Sequence, residues 1–71
     1  MFNHEIRTMT LSGKILYSET FKTADEAYKA YIATIDECNK TRKLVKGLKP
    51  IIVRRYNNGD LMTSHYIGLE V

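Results

Sequence analysis

The sequence predicts an α+β fold of order ββαββ, in which two β-hairpins form an antiparallel sheet and one helix packs on one face of it. Two segments are rich in β-branched and aromatic residues, and each is interrupted by a glycine-containing turn. Between them lies a segment with apolar residues at steps of three and four, the helical period. At 71 residues the chain is expected to form a single small domain, residues 1–71.

The first hairpin is predicted over residues 6–21. Ser12-Gly13 is expected to form a two-residue turn, because glycine tolerates positive φ. Side chains along each strand then alternate between the two faces of the sheet. The pairs that this register predicts are Leu11 with Lys14, Met9 with Leu16, and Thr8 with Tyr17.

The helix is predicted to begin at Thr23, which with Glu26 forms a capping box of the type Thr-x-x-Glu. An apolar stripe follows at helical spacing and should face the sheet. Gly47 is the expected end of the helical segment. The stripe consists of Ala24, Tyr28, Tyr31, Ile35 and Cys38.

The second hairpin is predicted after Pro50, which cannot continue a helix. Asn58-Gly59 is the preferred pair for a type I′ turn and should connect the two strands. The pairs predicted across this turn are Tyr56 with Leu61, Arg54 with Thr63, and Ile52 with His65.

Both hairpins carry large apolar side chains on both faces, although one helix can cover only one face. The set expected under the helix is Ile6, Ile15, Tyr17, Phe21, Ile52, Tyr56, Ile67 and Leu69. The set expected outside is Met9, Leu11, Leu16, Ile51, Val53, Met62 and Tyr66. An exposed apolar patch of this kind marks a contact surface, and a homodimer is the expected way to cover it. The alternatives are a scattered or terminus-covered set and a different protein partner.

Charge is strongly segregated along the chain. Residues 40–55 hold seven of the eleven cationic residues and no acid, so this block carries +7 and the remainder −4. Such a block attracts phosphate, and an aromatic ring beside it can stack on an unpaired base. A solvated basic surface is the alternative. The predicted DNA- or RNA-binding residues are Arg42, Lys43, Lys46, Lys49, Arg55 and Tyr66.

No catalytic residue, metal site or cofactor is predicted. His4 and His65 lie far apart in the sequence, Cys38 falls on the apolar stripe, and the four glycines are dispersed. A single cysteine is typical of a reducing compartment, and no apolar run approaches the length of a membrane span. The protein is therefore expected in the cytoplasm, without a membrane partner.

The function expected from these observations is that of a small, non-enzymatic, homodimeric regulatory protein that binds nucleic acid through its basic helix end and third strand. The alternative is a small inhibitor, antitoxin-like or adaptor protein. It would bind another protein through its uncovered sheet face or through a strand edge.

Overall fold

The computed structural model describes residues 3–68, which form a four-stranded antiparallel sheet with one helix packed on it. The strand order is β2-β1-β3-β4, which confirms the predicted ββαββ fold. The elements are β1 (His4–Thr10), β2 (Ile15–Phe21), α1 (Ala24–Leu44), β3 (Ile51–Asn57) and β4 (Asp60–Ile67).

The two hairpins are joined through their first strands. β1 pairs antiparallel with both β2 and β3, so β2 and β3 run parallel to each other with β1 between them. α1 makes the crossover between these two parallel strands, and it lies on one face of the sheet. β2 and β4 are therefore the edge strands. We call the face that α1 leaves uncovered the open face.

The helix begins where the capping box predicts. The Thr23 hydroxyl accepts a hydrogen bond from the Glu26 amide at 3.2 Å and donates to the Glu26 carboxylate at 3.1 Å. At the other end the Val45 amide donates to the Thr41 carbonyl at 2.8 Å, and the helix ends at Leu44. Within residues 3–68 no helix combines the length and the apolar character that crossing a bilayer requires.

The first hairpin departs from the predicted register in two places. The Thr10 amide donates to the Lys14 carbonyl, so the loop has three residues and the pairing of Leu11 with Lys14 is wrong. One extra residue, Leu16, then bulges out of β2, so that Met9 pairs with Ile15. The two shifts cancel, and the predicted pairing of Thr8 with Tyr17 is confirmed.

The second hairpin has the predicted turn, in which Asn58 and Gly59 both have positive φ. Tyr56 pairs with Leu61 as predicted. A bulge follows at Met62, and it shifts every later pair by one residue. The predicted pairs of Arg54 with Thr63 and Ile52 with His65 are therefore wrong; Arg54 pairs with Ser64 and Ile52 with Tyr66.

The core lies between α1 and the sheet. Ile6, Val53 and Ile67 pack there against Ala27 and Tyr31. The partly buried residues around this core are Phe21, Ala30, Ile35, Cys38 and Ile51.

The predicted assignment of side chains to the two faces is partly wrong. Ile6, Phe21 and Ile67 lie under the helix as expected. Ile51 and Val53 were expected outside, but they also lie under the helix. Ile15, Ile52 and Tyr56 were expected under the helix, but they lie on the open face. In β3 the apolar run Ile51-Ile52-Val53 supplies both faces, so its composition does not favour either orientation. Leu69 lies outside the described residues.

Two isoleucines test the assignment of faces. Ile6 is 2% exposed under the helix, whereas Ile15 is 49% exposed on the open face. Ile6→Ala should lower the free energy of unfolding by about 2–5 kcal/mol, because it leaves a cavity in the core. Ile15→Ala should lower it by less than about 1 kcal/mol, because little of its surface is buried. Urea denaturation monitored by circular dichroism measures both. Equal losses would contradict the assignment.

Candidate nucleic-acid interface

The open face presents three rows of side chains that cross all four strands. At one end is an apolar row, in the order Ile15, Met9, Ile52 and Tyr66. The middle row, which we call the arginine row, consists of Ser18, Arg7, Arg54 and Ser64. The third row consists of Thr20, Glu5, Tyr56 and Leu61.

The arginine row places two cations side by side at the centre of the face. Arg7 and Arg54 are direct partners across β1 and β3, the two central strands. Like charges directly opposite each other on a sheet destabilise it unless neighbouring groups offset the repulsion. The two arginines differ in the groups that surround them.

Arg7 is held by a carboxylate and an aromatic ring. Its Nε donates to Glu5 Oε2 at 2.7 Å and its Nη2 donates to Glu5 Oε1 at 3.0 Å, a bidentate pair. Its guanidinium carbon lies 4.2 Å from the centre of the Tyr56 ring. Hydrogen bonding to Glu5 raises the pKa of Arg7 above its usual value. Arg7 is therefore held in place, and the carboxylate of Glu5 balances its positive charge.

Arg54 has no such carboxylate. Tyr56 and then Tyr66, as potential acceptors beside its guanidinium, raise the pKa of Arg54. Its Nε is buried and lacks a hydrogen-bond partner, and within residues 3–68 no carboxylate oxygen lies within 4.0 Å of it. Among residues 3–68 no carboxylate therefore pairs with the positive charge that Arg54 brings to the centre of the open face, where an anion can accept hydrogen bonds from it.

The two tyrosines of the open face differ in exposure. Tyr56 is 9% exposed, because Arg7 covers its ring, whereas Tyr66 on the edge strand is 49% exposed. Tyr56 thus belongs to the packed surface, and Tyr66 offers a free aromatic face. Ile15 and Leu61 are about as exposed as Tyr66 and lie on either side of the arginine row.

The predicted nucleic-acid residues do not form one surface. Arg55 faces α1 and lies 5.8 Å from the ring centre of Tyr28, whereas Tyr66 is on the open face. The expectation that Arg55 and Tyr66 are neighbours is wrong, because the bulge at Met62 turns β4 by one residue relative to β3. The helix-end residues Arg42, Lys43, Lys46 and Lys49 lie at the end of α1 and in the segment after it.

The predicted interface set is also divided. Met9 and Tyr66 lie on the open face as expected, and Met62 is exposed at its bulge. Ile51 and the fully buried Val53 are packed under the helix, and Leu11 and Leu16 border a groove at its end. These four residues therefore do not contribute to the open face.

Sequence reasoning did not select Arg7 and Arg54 as a pair. They are 47 positions apart, and only the pairing of β1 with β3 brings them together. The alternation of Glu5, Arg7 and Met9 in one strand places all three side chains on one face. This alternation indicates that Arg7 shares a face with a carboxylate, but it does not indicate Arg54.

The residues considered for catalysis or metal binding are separate in space. His4 lies in β1, half-buried, and His65 is exposed on β4 opposite Val53. Burial raises the pKa of the Cys38 thiol above its usual value. In the part of the chain that the structure describes, no three metal-binding side chains cluster.

Comparison with known proteins adds no assignment. No protein-family model matches the chain, and no curated protein and no solved structure shows significant similarity to it.

The two open-face tyrosines should differ in their contribution to stability. Tyr56→Ala should lower the free energy of unfolding by about 3 kcal/mol, because it removes a buried ring from beneath Arg7. Tyr66→Ala should change it by less than about 1 kcal/mol, because half of the ring is already in water. Chemical denaturation of the two variants gives both values. A large loss for Tyr66→Ala would show that its ring is a structural element and not a free surface.

Proposed function

We propose that the protein binds single-stranded nucleic acid across the open face of its sheet. The observation that carries this proposal is the arginine row, in which Arg54 has no carboxylate partner among residues 3–68 and lies diagonally across from the half-exposed Tyr66 on the adjacent strand. This retains the nucleic-acid function expected from the sequence but moves the binding surface from the helix end to the open face.

The chemistry of this face matches that of a nucleotide chain. A guanidinium binds phosphate oxygens through charge-assisted hydrogen bonds, and an exposed aromatic ring stacks on a base that is not paired. Tyr66 and Arg54 lie on adjacent strands, in neighbouring rows of the open face. A single strand lying across these rows therefore meets a phosphate donor and a stacking platform side by side.

The same row disfavours face-to-face pairing of two copies. Such a dimer would bring two copies of Arg7 and of Arg54 into one desolvated centre, and among residues 3–68 each copy supplies one carboxylate on this face, that of Glu5 in the next row. Burying cations without matched partners is strongly unfavourable. An anionic partner relieves this repulsion, and so the charge pattern favours phosphate over a second copy. The homodimer expected from the sequence stays a prediction, and it would require a different surface.

Variants of two adjacent arginines, one on each face of the sheet, test whether the open face is the binding surface. Arg54→Gln should weaken binding of a fluorescein-labelled single-stranded oligonucleotide by roughly tenfold, since a hydrogen bond to a charged group contributes about 1.5–3 kcal/mol. It should also reduce the salt slope by about 0.7, the value for one phosphate contact on a single strand. Arg55→Gln removes the same charge from the helix side and should have a smaller effect. Fluorescence anisotropy at several salt concentrations measures both quantities.

The results distinguish binding at the open face from binding at the helix end. Equal losses for the two variants would mean that only net charge matters and would contradict the open-face site. If Lys43→Gln with Lys46→Gln abolishes binding while Arg54→Gln does not, the helix end is the binding surface.

Two half-exposed tyrosines test the stacking contribution. Tyr66→Ala should weaken oligonucleotide binding by about 1–3 kcal/mol, the usual contribution of base stacking on an aromatic ring. Tyr17→Ala is the control, because Tyr17 is similarly exposed but belongs to the other face of the sheet. Tyr66→Phe should retain most of the affinity. Binding that is insensitive to Tyr66→Ala would indicate an anion site without base stacking.

A protein partner is the second candidate, favoured by the half-exposed Ile15 and Leu61 on the open face. An acidic protein with apolar side chains would complement this surface. In that case binding to oligonucleotides would be absent at low salt, where phosphate contacts are strongest.

A further inference from the structure

A groove on the other side of the molecule, independent of the open face, has the composition of a ligand site. It has a volume of about 640 Å³ and lies between the last turns of α1, the β1–β2 turn and the segment that leads into β3. Sites for small molecules are typically ~300–1,000 Å³ and mostly apolar, with a few polar groups. The apolar residues that line it are Leu11, Leu16, Cys38, Leu48, Pro50 and Ile51, and we call it the leucine groove.

The three leucines of the groove are unusually exposed for their size. Leu16 is 53% exposed, and Leu11 and Leu48 are close to half-exposed. They come from three separate segments that converge on one concavity. The bulge in β2 contributes directly, because Leu16 is the extra residue in that strand. A concave apolar surface assembled in this way gains free energy when a hydrocarbon group displaces its water.

Arg42 holds the wall of the groove in place. Its Nη1 donates to the Leu48 carbonyl at 3.1 Å, and its Nη2 donates to the Lys49 carbonyl. Gly68 packs closely against the same guanidinium, and a side chain there would require the end of Arg42 to move. The segment after the helix is thereby fixed against α1, and the groove is a formed feature of the fold.

The charges at the groove favour an anionic head group. Arg42 and Lys49 line it, and Glu37 is the one carboxylate among the lining residues. The carbonyls that accept from Arg42 are neutral, so its positive charge persists at the groove. The hydroxyls of Thr10, Ser12 and Thr41 add hydrogen-bonding groups at its border. An apolar body with a carboxylate end satisfies both parts of this lining.

We propose that the leucine groove binds an amphiphilic carboxylate, with its hydrocarbon chain against the three leucines and its carboxylate beside Arg42 and Lys49. This site is separate from the proposed nucleic-acid surface, and the two functions can fail independently.

Cys38 is the one cysteine of the chain and lies in the groove, so its thiol reports occupancy. The experiment measures the rate at which a thiol reagent modifies Cys38 in the intact protein, with and without dodecanoate below its critical micelle concentration. At a ligand concentration about ten times the dissociation constant, the rate should fall by roughly tenfold, because only the empty fraction reacts. Unfolding by the amphiphile would instead accelerate the reaction.

Matched ligands and variants test each part of the proposal. Dodecyltrimethylammonium has the same chain with a cationic head and should protect Cys38 much less. Leu16→Ser and Lys49→Gln should each weaken the protection by dodecanoate, whereas Leu61→Ser on the open face and Lys46→Gln outside the groove lining should not. Leu16→Ser and Leu61→Ser change equally exposed leucines, so both are expected to fold.

Three outcomes overturn the proposal. The first is that dodecanoate does not protect Cys38, and the second is that the cationic amphiphile protects it equally. The third is that protection rises with protein concentration alone, which would identify a second copy as the occupant. A single-stranded oligonucleotide should neither protect Cys38 nor compete with dodecanoate, so loss of one activity is distinguishable from loss of the other.

Discussion

One helix must cover a four-stranded sheet that has apolar side chains on both faces, and the rest of the structure follows from this constraint. α1 covers Ile6, Val53 and Ile67, so the face that holds Met9, Ile52 and Tyr56 receives no helix. The central strands solve the problem locally. Arg7 lies over the Tyr56 ring and pairs with Glu5, so that long polar side chains shield apolar surface that no second layer covers. The cationic character of the open face is thus tied to its packing.

The same arrangement distributes the positive charges of the basic block over different surfaces. Arg54 and Arg55 are neighbours in sequence and point to opposite sides of β3, one into the arginine row and the other toward Tyr28. The lysines after the helix form a third group. The block of +7 that the sequence shows as one feature is therefore distributed over several surfaces. Two of these place an arginine near a half-exposed tyrosine, Arg54 with Tyr66 and Arg55 with Tyr28.

Local features of the fold could be predicted from the sequence, and the assignment of faces could not. Thr23 with Glu26 and Asn58 with Gly59 determine a helix start and a turn through contacts between residues close in sequence. The bulges at Leu16 and Met62 have no such local pattern, and each one shifts the pairing register by one residue. Pairing of β1 with β3 joins residues almost fifty positions apart. The proposed site consequently combines one residue expected from the sequence, Tyr66, with arginines that the sequence pattern did not select.

The two bulges also affect how the sheet ends. β2 and β4 are the edge strands, and each carries one bulge. An incoming strand that tries to extend the sheet meets an irregular ladder of amide and carbonyl groups at both borders, and natural proteins use such interruptions to resist edge-to-edge polymerisation. The bulges therefore disfavour edge-to-edge extension of a small sheet that has much apolar strand surface.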